Sequence, residues 1–229
     1  MFHPVDHPLE RGWVGRIDGD RVIQLAAQTL QSFFTGGGTA REHAEYPLAE
    51  VRLLAPVLHP PSVRVFEDQL AFVFANPAAI VGPGAVVKAP SNNLSQRLLT
   101  LVPRVAGVIG GDGMPAGFTP FAEWRTPGSR PPKDRDFALG LGPVVVTSDD
   151  LDPERIDAII RVNGQERLRG SFGGFGWRAA RDHAGEGTAL KPGDLLVGPG
   201  LALVDGISPE SFVELDVQGI GVLEQVVGD

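Results

Sequence analysis

Apolar and polar residues alternate with period two along most of this chain, which predicts strands far more often than helices. The clearest case is FVELDVQGIGVL at 212–223, which reads as a terminal strand pair. Residues 156–161 alternate into Asn163-Gly164, a dipeptide that accepts the positive φ of a two-residue hairpin turn. Two alternating runs within 13–25 flank Asp18-Gly19-Asp20 and predict another hairpin. LGPVVVT at 141–147 is β-branched and apolar, the composition of a strand buried in a sheet. Helical spacing appears over 25–34, where Leu25, Thr29, Leu30, Phe33 and Phe34 share a face and the glycines at 36–38 end the run. A second helix is expected over 177–184, and 39–50 reads as a short helix or connector.

LHPP at 58–61 is a stiff elbow, because each proline fixes its own φ and restricts the residue before it. It suggests a small N-terminal lobe over 1–55, a β-hairpin plus helix, ahead of a main domain over 56–229. Short strands in this order favour an α+β, mostly β fold around a single core over a doubly wound sheet.

Composition narrows the chemistry. The 30 Gly and 20 Pro are spread along the chain, which suits many strands joined by tight turns. Zero Cys excludes disulfides, thiolate metal sites and a cysteine nucleophile, and fits a reducing cytoplasm. A net charge of -8 argues against a nucleic-acid partner, which needs clustered Lys and Arg. No apolar run is long enough to span a bilayer, so no membrane association is expected, and the first residues lack the basic-then-apolar pattern of a signal peptide. Ser129 and Ser171 have no nucleophile elbow, and the glycine clusters at 107–113 and 173–176 do not form a dinucleotide-binding unit. His3, His7 and His59 sit beside prolines, and no two histidines have helical metal-ligand spacing. Phe172, Phe175 and Trp177 read as core aromatics.

Six segments in order (LLAPVLHPPSVR, NPAAIVGPGAVVKAP, DFALGLGPVVVTSDDL, RVNGQERLRGS, LKPGDLLVGPG and FVELDVQGIGVLEQVV) together resemble the fumarylacetoacetate hydrolase family from about 51 to 227. GWVGRIDGDRV is similar to that family's leading β-lobe. The resemblance implies a rolled mixed β-sheet core with a small N-terminal β-lobe, and a homodimer. It also implies Mg²⁺, Mn²⁺ or Ca²⁺ chemistry on β-dicarbonyl, acylpyruvate-like carboxylic acids: C–C hydrolysis, decarboxylation or tautomerisation. Such hard cations need several converging oxygen ligands.

Along the stretch 101–137, the family's metal-binding Glu-x-Glu pair falls on Val102 and Arg104, and its metal-binding Asp on Glu123. Its Trp falls on Trp124, its Arg-Asp pair on Pro127-Gly128, its lysine on Arg135, and an Asp and a His after the elbow on Val65 and Leu70. Glu123 is thus the one retained metal ligand, and Glu67 and Asp68 are the nearest acids that could rebuild a site. His43, beside Glu45, weakly resembles a water-activating loop of smaller members, in poor register. The cofactor is therefore left open. Alternatively, an Arg104–Glu123 ion pair fills the cation's place, with Arg135 nearby. Two functions follow from the resemblance. One is an enzyme in which Glu123 acts as base, Arg104 and Arg135 steady a carboxylate or enolate, and Arg125, Lys133 and Gly198 bind substrate. The other is a non-catalytic binding or partner subunit with the same fold.

Overall fold

A computed structural model of the chain describes residues 1–36, 39–90 and 98–229. The glycines at 37 and 38, expected to help end the first helix, lie outside the described residues. The molecule is organised around one long antiparallel hairpin, Leu99–Ile109 against Pro115–Arg125. Every residue of Leu99–Ile109 is buried, so both faces of this strand contribute to a core. Leu101, Val105 and Ile109 enter the larger cluster with Phe118, Ala122 and Trp124 of the partner strand. Ala106, Val108 and Phe121 point to the opposite face and enter a second cluster with Val63, Val65 and Val197. Alternation of side chains across a strand makes this division automatic.

The hairpin seeds a nine-stranded mixed sheet. On one side Leu99–Ile109 pairs with Leu195–Val197 and Val204–Ile207, and Leu195–Val197 pairs in parallel with Val63–Phe66, which pairs with the edge strand Phe72–Ala75. On the other side Pro115–Arg125 pairs with Leu139–Leu141 and Val146–Thr147, and Leu139–Leu141 runs parallel to Ile80–Val81. A five-stranded sheet holds Gln165–Ser171, Asp157–Val162, Phe212–Val217, Gly221–Val227 and Val86–Val87 in that order. Ile160, Leu215 and Leu223 of this sheet meet Leu101 and Trp124 in the larger core. The result is a curled, mostly β fold, as the sequence resemblance implied.

The first 53 residues form a three-stranded sheet (Gly15–Asp18, Arg21–Ala26, Thr39–Pro47) and a two-stranded one (Phe2–Pro4, Val51–Leu53). Helix Leu30–Phe34 starts at a Thr29/Ser32 capping box and packs Leu30 and Phe34 against the second core. This helix is shorter than the expected 25–34, because Leu25 continues the preceding strand. The larger correction is 39–50. Residues Thr39–Pro47 form a strand, followed by a single turn at Leu48–Glu50. Its Ala, Arg and Glu favour helix intrinsically, but pairing with Arg21–Ala26 prevails, aided by the Arg16–Glu42 and Arg21–Glu45 ion pairs. The run 141–147 is likewise split, because Pro143 has no N–H to continue the ladder. Asn163 and Gly164 do form the expected turn, with φ of 52° and 75°.

Gly117 lies where two strands approach too closely for a side chain. A Cβ there would sit 2.5 Å from the Val146 carbonyl oxygen and 2.5 Å from Val145 Cγ1. Gly117→Ala is therefore expected to destabilise the protein by about 1–3 kcal/mol, read as a lower urea midpoint at unchanged m-value. A midpoint equal to wild type would show that this crossing is loose.

Candidate functional site

Alternation places Thr100, Val102 and Arg104 on one face of Leu99–Ile109, and the register sets them opposite Arg125, Glu123 and Phe121. Arg104 and Glu123 are thus diagonal neighbours on the same face, within reach of long side chains. They meet. Arg104 Nε lies 2.7 Å from Glu123 Oε2, an ion pair whose N–H is not aligned as a hydrogen bond. The two side chains are 1% and 0% exposed. Arg104 Nη1 also donates to the carbonyls of Phe66 (2.9 Å) and Gly198 (3.0 Å). The loop carrying Gly198 comes close because Gly200 has no side chain: a Cβ there would collide with Val102 and lie 3.5 Å from the Arg104 guanidinium carbon.

Glu123 is held from its other edge too. Arg125 Nε donates to Glu123 Oε1 at 2.5 Å, and Arg135 Nη1 lies 3.5 Å from the same oxygen. Arg135 is oriented by Asp134, which accepts from its Nη2 at 2.8 Å. The hydrogen bond to Asp134, joined by the fields of Glu123, Asp134 and Glu67, raises the pKa of Arg135 against the opposing effect of burial. Glu67, half exposed, closes the cluster at 3.3 Å from Arg104 Nη2, 3.4 Å from Arg135 Nη1 and 3.7 Å from Arg125 Nη2. Three guanidiniums (Arg104, Arg125, Arg135) thus face three carboxylates (Glu67, Glu123, Asp134).

The structure brings Arg104, Glu123, Arg125 and Arg135 together, with Gly198 contributing a carbonyl. It does not bring in Lys133, which is exposed and paired with Asp136 at 2.7 Å. His43 is exposed on the N-terminal three-stranded sheet, Val65 is buried in its strand, and Leu70 points to solvent. Phe172, Phe175 and Trp177 pack in the larger core. Sequence reasoning missed Asp134, although its place next to Arg135 was the available signal, and it missed the Phe66 carbonyl, which sequence does not mark.

The residues present do not fit a divalent cation. Among the described residues no group of three or more His, Cys, Asp or Glu converges to hold a metal ion. Both oxygens of Glu123 face guanidiniums, whose N–H groups have no lone pair to offer. Two clefts lie elsewhere: one of about 320 Å³ lined by His3, Arg52 and Ile80 among others, and one of about 920 Å³ lined by Phe33, Phe34, Asp112 and Asp149 among others.

Removing one member of a buried pair leaves the other charge buried without its nearest counter-ion. Arg104→Met and Glu123→Leu are each expected to cost about 3–5 kcal/mol in urea unfolding. The double variant Arg104→Met/Glu123→Leu should lose clearly less than the sum. Strict additivity would show that the two side chains are not coupled.

Residues 12–56 match the family described as Rv2993c-like, N-terminal. No curated protein sequence matches the chain. Solved structures do. Maleylpyruvate hydrolase from Sphingobium sp. SYK-6 superposes with a TM-score of 0.79 at 18% identity, over 96% of this chain and 97% of that one. The same hydrolase in complex with manganese(II) and pyruvate gives 0.76 at 18%, over 96% and 98%. The 5-carboxymethyl-2-hydroxymuconate delta-isomerase from Mycobacterium smegmatis gives 0.73 at 25%, over 94% of each chain. Fumarylacetoacetate hydrolase from Exiguobacterium antarcticum gives 0.76 at 19%, over 95% of each. From its N-terminal segment to its last strand, this chain has the fold of the fumarylacetoacetate hydrolase family.

Proposed function

We propose that this protein keeps the fold of that family as a binder of small carboxylic acids and does not run divalent-metal chemistry. One observation carries the reading: a guanidinium, Arg104, occupies the position that the resemblance gives to a metal-binding glutamate, and it is locked to the fully buried Glu123. Arg125 and Arg135, 21% and 22% exposed, turn their outer nitrogens, Nη2 of Arg125 and Nη1 of Arg135, toward the half-exposed Glu67 at the surface of the cluster. Two guanidinium nitrogens on one carboxylate-sized gap are the donors that a carboxylate accepts from. Pyruvate, found in the manganese complex of the Sphingobium hydrolase, is the natural first probe. Glu123 acts here as a positioning residue. Its oxygens are taken by Arg104 and Arg125, which leaves no route to a substrate proton. In this role the protein is a cytoplasmic homodimer or a partner subunit. The apolar side chains of Val73 and Phe74, exposed on the edge strand Phe72–Ala75, support such an assembly.

A second reading keeps catalysis. The full-length likeness to hydrolases and an isomerase favours an acylpyruvate-type C–C hydrolase, decarboxylase or tautomerase in which Arg125 and Arg135 stabilise an enolate without a metal.

Thermal unfolding separates these readings. Millimolar Mg²⁺ or Mn²⁺ is expected to leave Tm unchanged, whereas pyruvate at one hundred times its Kd should add about 2.7 kcal/mol of stability. A clear rise in Tm with Mn²⁺, together with turnover of an acylpyruvate, would overturn the binding-protein reading. Metal-free turnover of an acylpyruvate would favour the second.

A further inference from the structure

Glu67 and Glu123 both face all three arginines, and Glu67 is the least well held carboxylate of the cluster. Glu123 contacts Arg104 and Arg125 at 2.7 and 2.5 Å, and Asp134 accepts from Arg135 at 2.8 Å. Glu67 reaches its arginines only at 3.3 to 3.7 Å, longer than a charge-assisted hydrogen bond, and its side chain is 50% exposed. Without Glu67, three guanidiniums would face two carboxylates, leaving one positive charge and a vacancy of carboxylate size.

The backbone beneath Glu67 is fixed. Glu67 N donates to the Ala71 carbonyl, and Asp68 Oδ1 accepts from Leu70 N and Ala71 N. Gln69 makes a two-way amide contact with Gly176, donating from Nε2 at 2.9 Å and accepting at Oε1 at 2.8 Å. The Phe66 carbonyl is tied to Arg104. Any movement at this point is therefore a rotation of the Glu67 side chain about its own χ angles, not a loop opening.

Building on the carboxylate-binding reading, we propose that Glu67 is an internal competitor: its carboxylate occupies the ligand's carboxylate subsite on Arg125 and Arg135, and a bound acid replaces it. The ligand class is a small planar monocarboxylate. An acid with one carboxylate restores the balance that Glu67 supplied, whereas two carboxylates inside the cluster would leave one unpaired. Exchange of one carboxylate for another costs Arg104 only the contact of its Nη2 with Glu67, since Arg104 keeps Glu123, Phe66 and Gly198.

Isothermal titration with pyruvate tests this on wild type, Glu67→Gln and Glu67→Ala, with Arg125→Gln and Arg135→Gln as site controls. Glu67→Gln keeps the shape and removes the charge, and Glu67→Ala guards against a new amide contact. Both glutamate variants are expected to bind pyruvate up to about fivefold more tightly than wild type, the scale of releasing one exposed ion-pair partner. Both arginine variants should bind more weakly. If wild type binds through Arg125 and Arg135 but the Glu67 variants bind equally or less tightly, the competitor role is wrong and the carboxylate site stands. If no variant binds pyruvate, or binding is indifferent to Arg125 and Arg135, the site reading itself fails and the competitor role with it.

Discussion

A buried guanidinium–carboxylate pair on the central hairpin is the constraint that the rest of the site obeys. Taking two charges out of water is costly, and mutual attraction offsets that cost only when the remaining donors and acceptors are also satisfied. Arg104 meets this condition through Glu123, the Phe66 and Gly198 carbonyls and Glu67. These partners come from three pieces of chain, so one side chain fixes the relation between the hairpin, the end of Val63–Phe66 with its following turn, and the loop after Leu195–Val197. Gly200 lets that loop approach, and Gln69 clamps the turn to the start of helix Trp177–Ala184.

The hairpin can carry such a pair because both of its faces are buried. One face builds the larger core with Trp124, which donates from Nε1 to Gln225 at 2.7 Å and so ties the nine-stranded sheet to the five-stranded one. The other face would be an ordinary apolar core along its length, as it is around Ala106, Val108 and Phe121. Toward the Leu99 end of the strand it turns polar. A water-poor, rigid wall then surrounds Arg104 and Glu123, while Arg125, Arg135 and Glu67 reach the surface. Rigid inside and exchangeable outside is the division that a ligand site requires.

This electrostatic arrangement differs in kind from a divalent-metal centre. A hard cation gathers oxygens around one point and needs their summed negative charge. Here the positive charge is distributed over three planar groups with directed N–H bonds, and carboxylates serve as its counter-ions. The same scaffold that brings acids together in a metal enzyme can bring a guanidinium and an acid together, because the hairpin register fixes positions and is indifferent to the sign of the charge.

Much of this was legible in the sequence. Alternation in 212–223, the Asn163-Gly164 turn and the six ordered segments established a mostly β, rolled fold, because period two and turn chemistry are local properties of the chain. The arginine at 104, where the resemblance puts a metal-binding glutamate, was equally plain. Sequence reasoning went astray where pairing overrode propensity, as in Thr39–Pro47, and where a proline interrupted an apolar run at 143. It also set Lys133 beside the arginines, although Lys133 turns outward to Asp136. The residues themselves thus determined the fold and the mixed charge of the central hairpin. Only the tertiary structure decided that Arg104 and Glu123 touch, that Asp134 steers its neighbour Arg135, and that Glu67 lies across all three guanidiniums, because those contacts depend on strand register, side-chain direction and loop approach.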